Sequence, residues 1–427
     1  MKTKYSLSLL SLCLLAPVTG SFAEDKVTVQ TGDYSDPATW GGSLPETTDN
    51  IRVMSGTKLA VTEAETAASI QNSGWNVSLD SELEIIGADA SLTLTGESKF
   101  WYNNSLTVNV LDGATFNAGT ISWGSGGVNK IYIKDSTFTG YFSQLQGSAS
   151  ISDPSFVVDN SQATITGAFK VAAESENHKM TVLVTGKNSS LQAVSLDGAT
   201  NYGIQIAANK VGAESRLIIA DSASVKTGTD FSISYTEGAL NNLTVMGEGS
   251  NFDSFRITVG SSSQKGASGS AEITLGGFDK DGNFVAAGEK AISNNWEVKI
   301  QETGTLRYLL GASNALDVDD ITTGAIFQGR FFKSILGELV VDFTNIEGLD
   351  AGTYKFALFS STESLASYTF DNLICIESDT VKFDKVELGS DSKTYYIYAN
   401  VVVPEPSVYA FAFGLFAMLF AAYCRRK

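Results

Sequence analysis

Histidine is almost absent from this chain: of 427 residues only His178 is one. A histidine-based catalytic triad or zinc centre therefore has little to be built from. Cysteine is nearly as scarce, with Cys13, Cys375 and Cys424. The first lies in an N-terminal segment expected to be removed, and the last closes an apolar tail. Cys375 is left alone in the body, so no internal disulfide framework is available there. Within LICIE it reads as a small core residue on a strand. Cations are also in short supply. Lys and Arg number 29 against 47 Asp and Glu, giving a net charge of -18. The stretch between the two ends is more acidic than the whole, because the ends carry Lys2, Lys4, Arg425, Arg426 and Lys427. A surface of that sign repels phosphate backbones, which excludes nucleic acid as an expected partner. Neither H-E-x-x-H, nor G-x-S-x-G, nor a glycine-rich nucleotide loop occurs. Past Glu24, helical periodicity is scarce as well.

What the chain does have begins with an export signal. Lys2 and Lys4 precede an apolar segment from Tyr5 to Leu15, and Ser21-Phe22-Ala23 supplies a small-x-small cleavage site. Residues 1–23 are expected to be removed after Ala23.

From there short alternating stretches recur, separated by turn residues. Several share one form: apolar-x-apolar, a turn with Asp or Gly, a small residue, then a closing apolar position. They include LEIIGADASLTL, LTVNVLDGATFNAG, IYIKDSTFTG, VLVTGKNSSLQA, LIIADSASVKTG and LTVMGEGSNFDS, closing on Leu92, Phe116, Phe138, Leu191, Val225 and Phe252. With one weaker unit near Ile165, neighbouring closures stand 22 to 34 positions apart. That spacing suits one coil of a parallel β-solenoid, in which each coil buries its apolar side only by stacking on the next. The same alternation would also suit an antiparallel sandwich or barrel. The fold class expected is all-β, a right-handed parallel β-helix over residues 24–336. A change of flavour follows at 337–403, where longer strands rich in Tyr, Phe and Val predict a C-terminal β cap or small sandwich. Its turns GLDAGTY and LGSDSKTYY read as hairpin connections.

The first stretch, Thr31 to Val61, carries Trp40, Gly41, Gly42, Pro45 and Asp49-Asn50-Ile51. It resembles the opening of many secreted β-helix proteins, and the resemblance implies that Trp40 plugs the open end of the apolar column.

Chemistry is harder to find. Asp279, Asp281 and Asn283 alternate as in calcium loops, but Phe284 stands where an EF-hand needs Gly and Lys290 where it needs Glu. They remain weak calcium candidates, as do Asp317, Asp319 and Asp320, and a polar β-turn is the better reading. His178 lies in polar SENHKM and reads as a loop residue. Arginines in the body are few: Arg52, Arg216, Arg256, Arg307 and Arg330. Enzymes on β-helices cluster Asp, Arg or Lys on one outer sheet, and no such cluster is visible along the chain. No catalytic residue, metal or cofactor is expected. Trp75, Trp101, Trp123 and Trp296 would suit stacking on sugar rings, although core or corner packing explains them more simply.

The chain ends VPEPSVYAFAFGLFAMLFAAYCRRK. Residues 408–424 are apolar and uncharged, long enough as a helix to cross a bilayer core. Arg425, Arg426 and Lys427 would stop transfer and stay cytoplasmic, leaving the body outside. Pro404, Glu405 and Pro406, the apolar run and the basic end, in that order behind a secretion signal, resemble the PEP-CTERM sorting signal. The resemblance covers residues 404–427. It implies a Gram-negative bacterium, transient anchoring in the inner membrane, and an exosortase that acts near the triplet before the body passes to the cell surface or extracellular matrix. In that setting Pro404, Glu405 and Pro406 are recognition residues of a substrate. Two prolines keep the segment extended, which suits entry into a protease cleft. Coils such as VTGKNSSL also resemble autotransporter passengers, but that route calls for a C-terminal membrane barrel, which this reading does not find. The expected function is a secreted structural or adhesive surface protein, whose partners are the exosortase and export machinery and an extracellular polysaccharide. The alternative is a carbohydrate-binding or polysaccharide-degrading β-helix.

Overall fold

A computed structural model describes residues 24–402, except 74–79, 101–104, 124–128, 146–153, 174, 195–202, 209, 235–237, 262–269 and 321–323, together with Met418. Regular structure there is β-strand almost throughout, with short 3-10 turns at Pro37–Trp40 and Ala312–Asn314. Two long sheets dominate. The first holds 13 strands, each hydrogen-bonded to the one from the previous coil, from Gly32–Asp33 to Leu373–Ile376. Its pairings are parallel and run in sequence order, as Ser81–Ile86 on Leu106–Leu111 and that strand on Lys130–Lys134. The chain is therefore all-β, and its sheets are those of stacked coils, consistent with a β-solenoid.

The second sheet bends. Thr115–Trp123 pairs with Ser91–Leu94 over its first half and with Glu97–Phe100 over its second. Register shifts at Asn117/Thr120, Thr227/Asp230 and Ser254/Arg256 mark the same break in later coils. One coil thus runs through a first-face strand, a tight turn, a second-face strand, a corner and a third-face strand.

Alternation explains what is buried. In Ser81–Ile86, Leu83 and Ile85 point inward while Glu82 and Glu84 point out. Each inward Leu, Ile or Val contributes roughly 1.5–3 kcal/mol by leaving water. The closing residues superpose directly: Leu92, Phe116 and Phe138 form one register column, continued by Leu191, Val225 and Phe252 and then by Ile292, Phe327 and Phe359. The weak unit closes on Ala163, which pairs with Phe138 and Leu191, and Ile165 falls two positions on against Gly140 and Ala193. A small residue suffices there because Phe156 and Phe142 already crowd Phe138, with ring centroids 5.5 and 5.9 Å away.

The turn between the first two faces needs left-handed backbone, which Asn, Asp and Gly adopt most readily. Asp112, Asp135, Asn160 and Asp221 sit there at φ between 48° and 56°. Their side chains also join coils. Asn160 donates to Asp135 and Asn188 Nδ2 to Asn160 Oδ1. The Ser161 and Ser189 hydroxyls take the amides of Ser136 and Ser161 at 3.0 and 3.1 Å.

At the N-terminal end Trp40 is buried in the core cluster, with its Nε1 donating to the Tyr34 carbonyl at 2.7 Å and the two rings edge-on. Asp49 takes the amides of Glu24 and Glu46 and so pins the start of the described chain. At the other end the parallel ladder crosses residue 337. Glu338–Asp342 and Leu373–Ile376 add two more first-face strands, the latter carrying Cys375. An antiparallel meander of Gly352–Ser361, Thr394–Val401 and Val381–Leu388 lies beside them. LGSDSKTYY is a hairpin turn, as its sequence predicts. GLDAGTY is not, since Glu338–Asp342 and Gly352–Ser361 lie in different sheets.

Candidate functional site

Ala23 of the expected cleavage site, Pro404, Glu405 and Pro406 of the triplet, and Arg425, Arg426 and Lys427 lie outside the described residues, as does the 408–424 segment apart from Met418. Among the described residues no helix is long and apolar enough to cross a membrane.

The calcium candidates form a closed turn. Asp279 Oδ1 accepts the amides of Asp281 and Asn283 at 2.9 and 2.8 Å, and its Oδ2 accepts from Asn283 Nδ2 at 3.0 Å. Those hydrogen bonds hold the Asp279 carboxyl below its ordinary pKa. Asp281 is engaged by Lys280 at 2.9 Å. The carboxylates serve the turn between Gly277–Phe278 and Phe284–Val285, and among the described residues no group of three His, Cys, Asp or Glu is placed to hold a metal. Near Asp317, Asp319 and Asp320, the buried Lys355 ammonium donates to the carbonyls of Val318 and Asp320, so that loop offers main-chain oxygens to a cation of the chain itself.

His178 is half-buried at a coil turn, and its carbonyl accepts the Glu214 amide. The Cys375 thiol is pushed up to about 11 by burial and by Glu377, so it stays protonated and unreactive at neutral pH. Tyr308 is fully buried in the core, its hydroxyl unpaired and its pKa raised well above 10 by burial. Trp123 is core, edge-on to Phe100 at 6.2 Å, whereas Trp75 and Trp101 lie outside the described residues.

Four of the five body arginines are in ion pairs: Arg52 with Asp25, Arg216 with Glu214, Arg256 with Asp230 and Arg307 with Glu272. Arg330 instead lies over the outward ring of Trp296, 4.8 Å from its centroid. Beside it charges converge from several coils. Glu297, only 9% exposed, lies 3.0 Å from both Lys299 and Lys333 and 3.8 Å from Arg256 Nε. This convergence is invisible along the sequence, because coil lengths decide which residues meet.

Burial would raise the Glu297 pKa, but hydrogen bonds and charge from Lys299 and Lys333 outweigh it and hold the carboxyl below its ordinary 4.5. Glu297 is thus ionised at neutral pH and unsuited to general-acid work. A depressed folded pKa stabilises the fold above the unfolded value, and that stability is lost as pH falls through the folded one. Stability should decline once pH drops below about 4.5. Glu297→Gln should be less stable than the parent at pH 7, and the gap should narrow as pH falls below about 4.5, in denaturant curves. A gap that does not narrow with falling pH would refute the assignment.

A separate cleft of about 730 Å3 is lined by Gly247–Gly249, Phe284–Glu289, Asn314 and Gly324. It adjoins a shallower, more polar hollow of about 460 Å3 that shares Glu289 and Gly324 and adds Lys290, Gln328, Asp391 and Lys393. Glu248 and Glu289 reach the cleft without a histidine or cysteine beside them, so it offers a polar surface rather than a nucleophile with its base.

No family model matches the chain, and no curated protein or solved structure matches it.

Proposed function

We propose that this chain is an exported surface or extracellular-matrix protein of structural or adhesive type, without catalytic activity. It folds as a right-handed parallel β-helix with a C-terminal β cap. Residues 1–23 direct export, residues 408–424 hold it briefly at the inner membrane, and an exosortase acts at Pro404-Glu405-Pro406. The observation that carries this reading is the order of features at the C-terminus: proline triplet, uncharged apolar run, then Arg425, Arg426 and Lys427, behind an N-terminal export signal. The right-handed sense follows from the strong preference of parallel crossovers for that hand. A stack of short coils with charge facing out suits such a role, since length grows by adding coils and the surface stays solvated.

The test is to express the full chain in a Gram-negative host with and without its exosortase and to measure the mass of the product. Tail loss only in the competent strain is expected, and Pro404→Ala with Pro406→Ala should retain the tail. A tail kept in both strains would overturn the sorting claim. The second reading, a carbohydrate-binding protein, is favoured by the outward position of Trp296.

A further inference from the structure

In a chain with far more acids than bases, cations gather at the corner between the second and third faces of the later coils. The register breaks there make side chains project. Phe255 stands opposite the Gly228–Thr229 bulge of the coil before it and the Asn295–Trp296 bulge of the coil after it. Phe255 and Trp296 are accordingly 41% and 44% exposed. Their rings lie parallel, 7° apart in plane with centroids at 5.9 Å, and the exposed Arg330 lies over the Trp296 ring, 4.8 Å from its centroid. Main-chain bonds fix Arg330: its amide donates to Asn294 O at 3.1 Å, and its carbonyl accepts the Ser361 hydroxyl at 2.8 Å.

Two features of this stack are unspent. The Arg330 guanidinium is held against the Trp296 ring, and among the described residues no acid forms an ion pair with it. Its N–H edge is thus set to receive a planar oxyanion with two parallel hydrogen bonds. At the other end of the stack, the coil preceding Phe255 presents Gly228, where a Cβ would meet none of the described residues within 4 Å. Phe255 itself is 41% exposed, so part of its ring is open to a flat ligand. Around the stack, among the described residues, Arg256, Lys299 and Lys333 pair with Asp230 and Glu297 alone. With Arg330 that makes four cations to two acids. Asp253, round the corner on the second face, is taken by Asn295 and Lys226.

We propose that this corner binds a carboxylated polysaccharide, with a sugar ring against Phe255 and a uronate carboxylate on the edge of Arg330. Aromatic faces suit the apolar faces of sugar rings, and the local excess of cations selects an acidic glycan over a neutral one. Charge alone would also draw any polyanion, but a stacked guanidinium prefers a planar carboxylate. The proposal rests on the surface-protein reading for its biological setting only. Binding is measured on purified chain and holds or fails whether or not the tail is cleaved.

The experiment uses the full chain in mild detergent, with polygalacturonate and its fully methyl-esterified form as probes, followed by affinity electrophoresis at low salt. Retardation by polygalacturonate, absent with the ester, is expected. Arg330→Ala and Phe255→Ala should each weaken it about tenfold. Arg330→Lys keeps the charge but loses the planar fork, and should weaken it several-fold. Melting temperatures near the parent's separate lost binding from lost folding, and Arg330→Lys stands in if Arg330→Ala does not fold. No retardation of the parent, unchanged binding in the variants, or equal binding of duplex DNA would overturn the proposal. So would a dimer seen by sedimentation that the variants disperse, because the corner would then be covered by a second copy.

Discussion

Phe138→Ala should cost about 3–5 kcal/mol, the range for emptying a well-packed aromatic site. Phe138 is completely buried, with Phe116 at 5.7 Å and Phe156 at 5.5 Å between ring centroids. The next coil offers only Ala163 in the same column, so no neighbour is long enough to fill the void. Gly140 sits under the ring, where a Cβ would come within 2.9 Å of Phe138 Cζ, and backbone does not collapse inward as a side chain would. Because coils contact only their neighbours, the damage should be concentrated around residues 115–165. Denaturant unfolding of the variant beside Phe255→Ala checks this, the exposed ring costing less than about 1 kcal/mol. A loss below that for Phe138→Ala would mean the column is not packed as described. A broadened transition rather than a shifted one would place the effect in local cooperativity.

Gly337→Ala is expected to be of similar severity, about 3 kcal/mol or more, through backbone collision instead of a cavity. A Cβ at Gly337 would fall closer than 3.0 Å to the carbonyl oxygens of Gly304 and Gln301. Gly304 in turn faces the Val259 carbonyl, and Gly260, at φ +82°, faces the Gly304 amide, so three successive coils pass this point on glycine. No rotamer change relieves a main-chain clash; the coil carrying Glu338–Asp342 must lift away from Gly304–Leu309. Gly87→Ala is the matched control. Its φ is +103° but a Cβ there meets nothing within 4 Å, so it should cost only the left-handed strain, about 1–2 kcal/mol. Melting temperatures with hydrogen exchange over 304–342 distinguish the two. A loss at Gly337→Ala no larger than that at Gly87→Ala would show that the contact between coils yields without cost.

Much of the architecture could be read before any coordinates. Alternation in Ser81–Ile86, the closing residues Leu92, Phe116 and Phe138, and the Asp and Gly turn positions are local chemistry. A strand with one apolar side and a turn residue tolerant of left-handed backbone announce themselves within ten positions. Trp40 was legible only through the resemblance of its stretch to the opening of secreted β-helix proteins, and it is buried in the core cluster. The closing place of the weak unit was not. Ile165 is the stronger hydrophobe, but stacking on Phe138 puts Ala163 in the column. Residue 337 marks a real change in composition, yet two more parallel strands follow it, because pairing on the previous coil overrides local flavour.

Neither the corner stack nor the Glu297 network could be foreseen. Phe255, Trp296 and Arg330 are separated by dozens of residues, and nothing around any one of them names the others. They meet because each coil advances by one strand spacing whatever the length of its loops. The sequence by itself determined that this chain is acidic, β-rich and built of short repeating strands. Only the tertiary structure decided which outward side chains share a corner, since hydrogen-bond register, not distance along the chain, sets what lies above what.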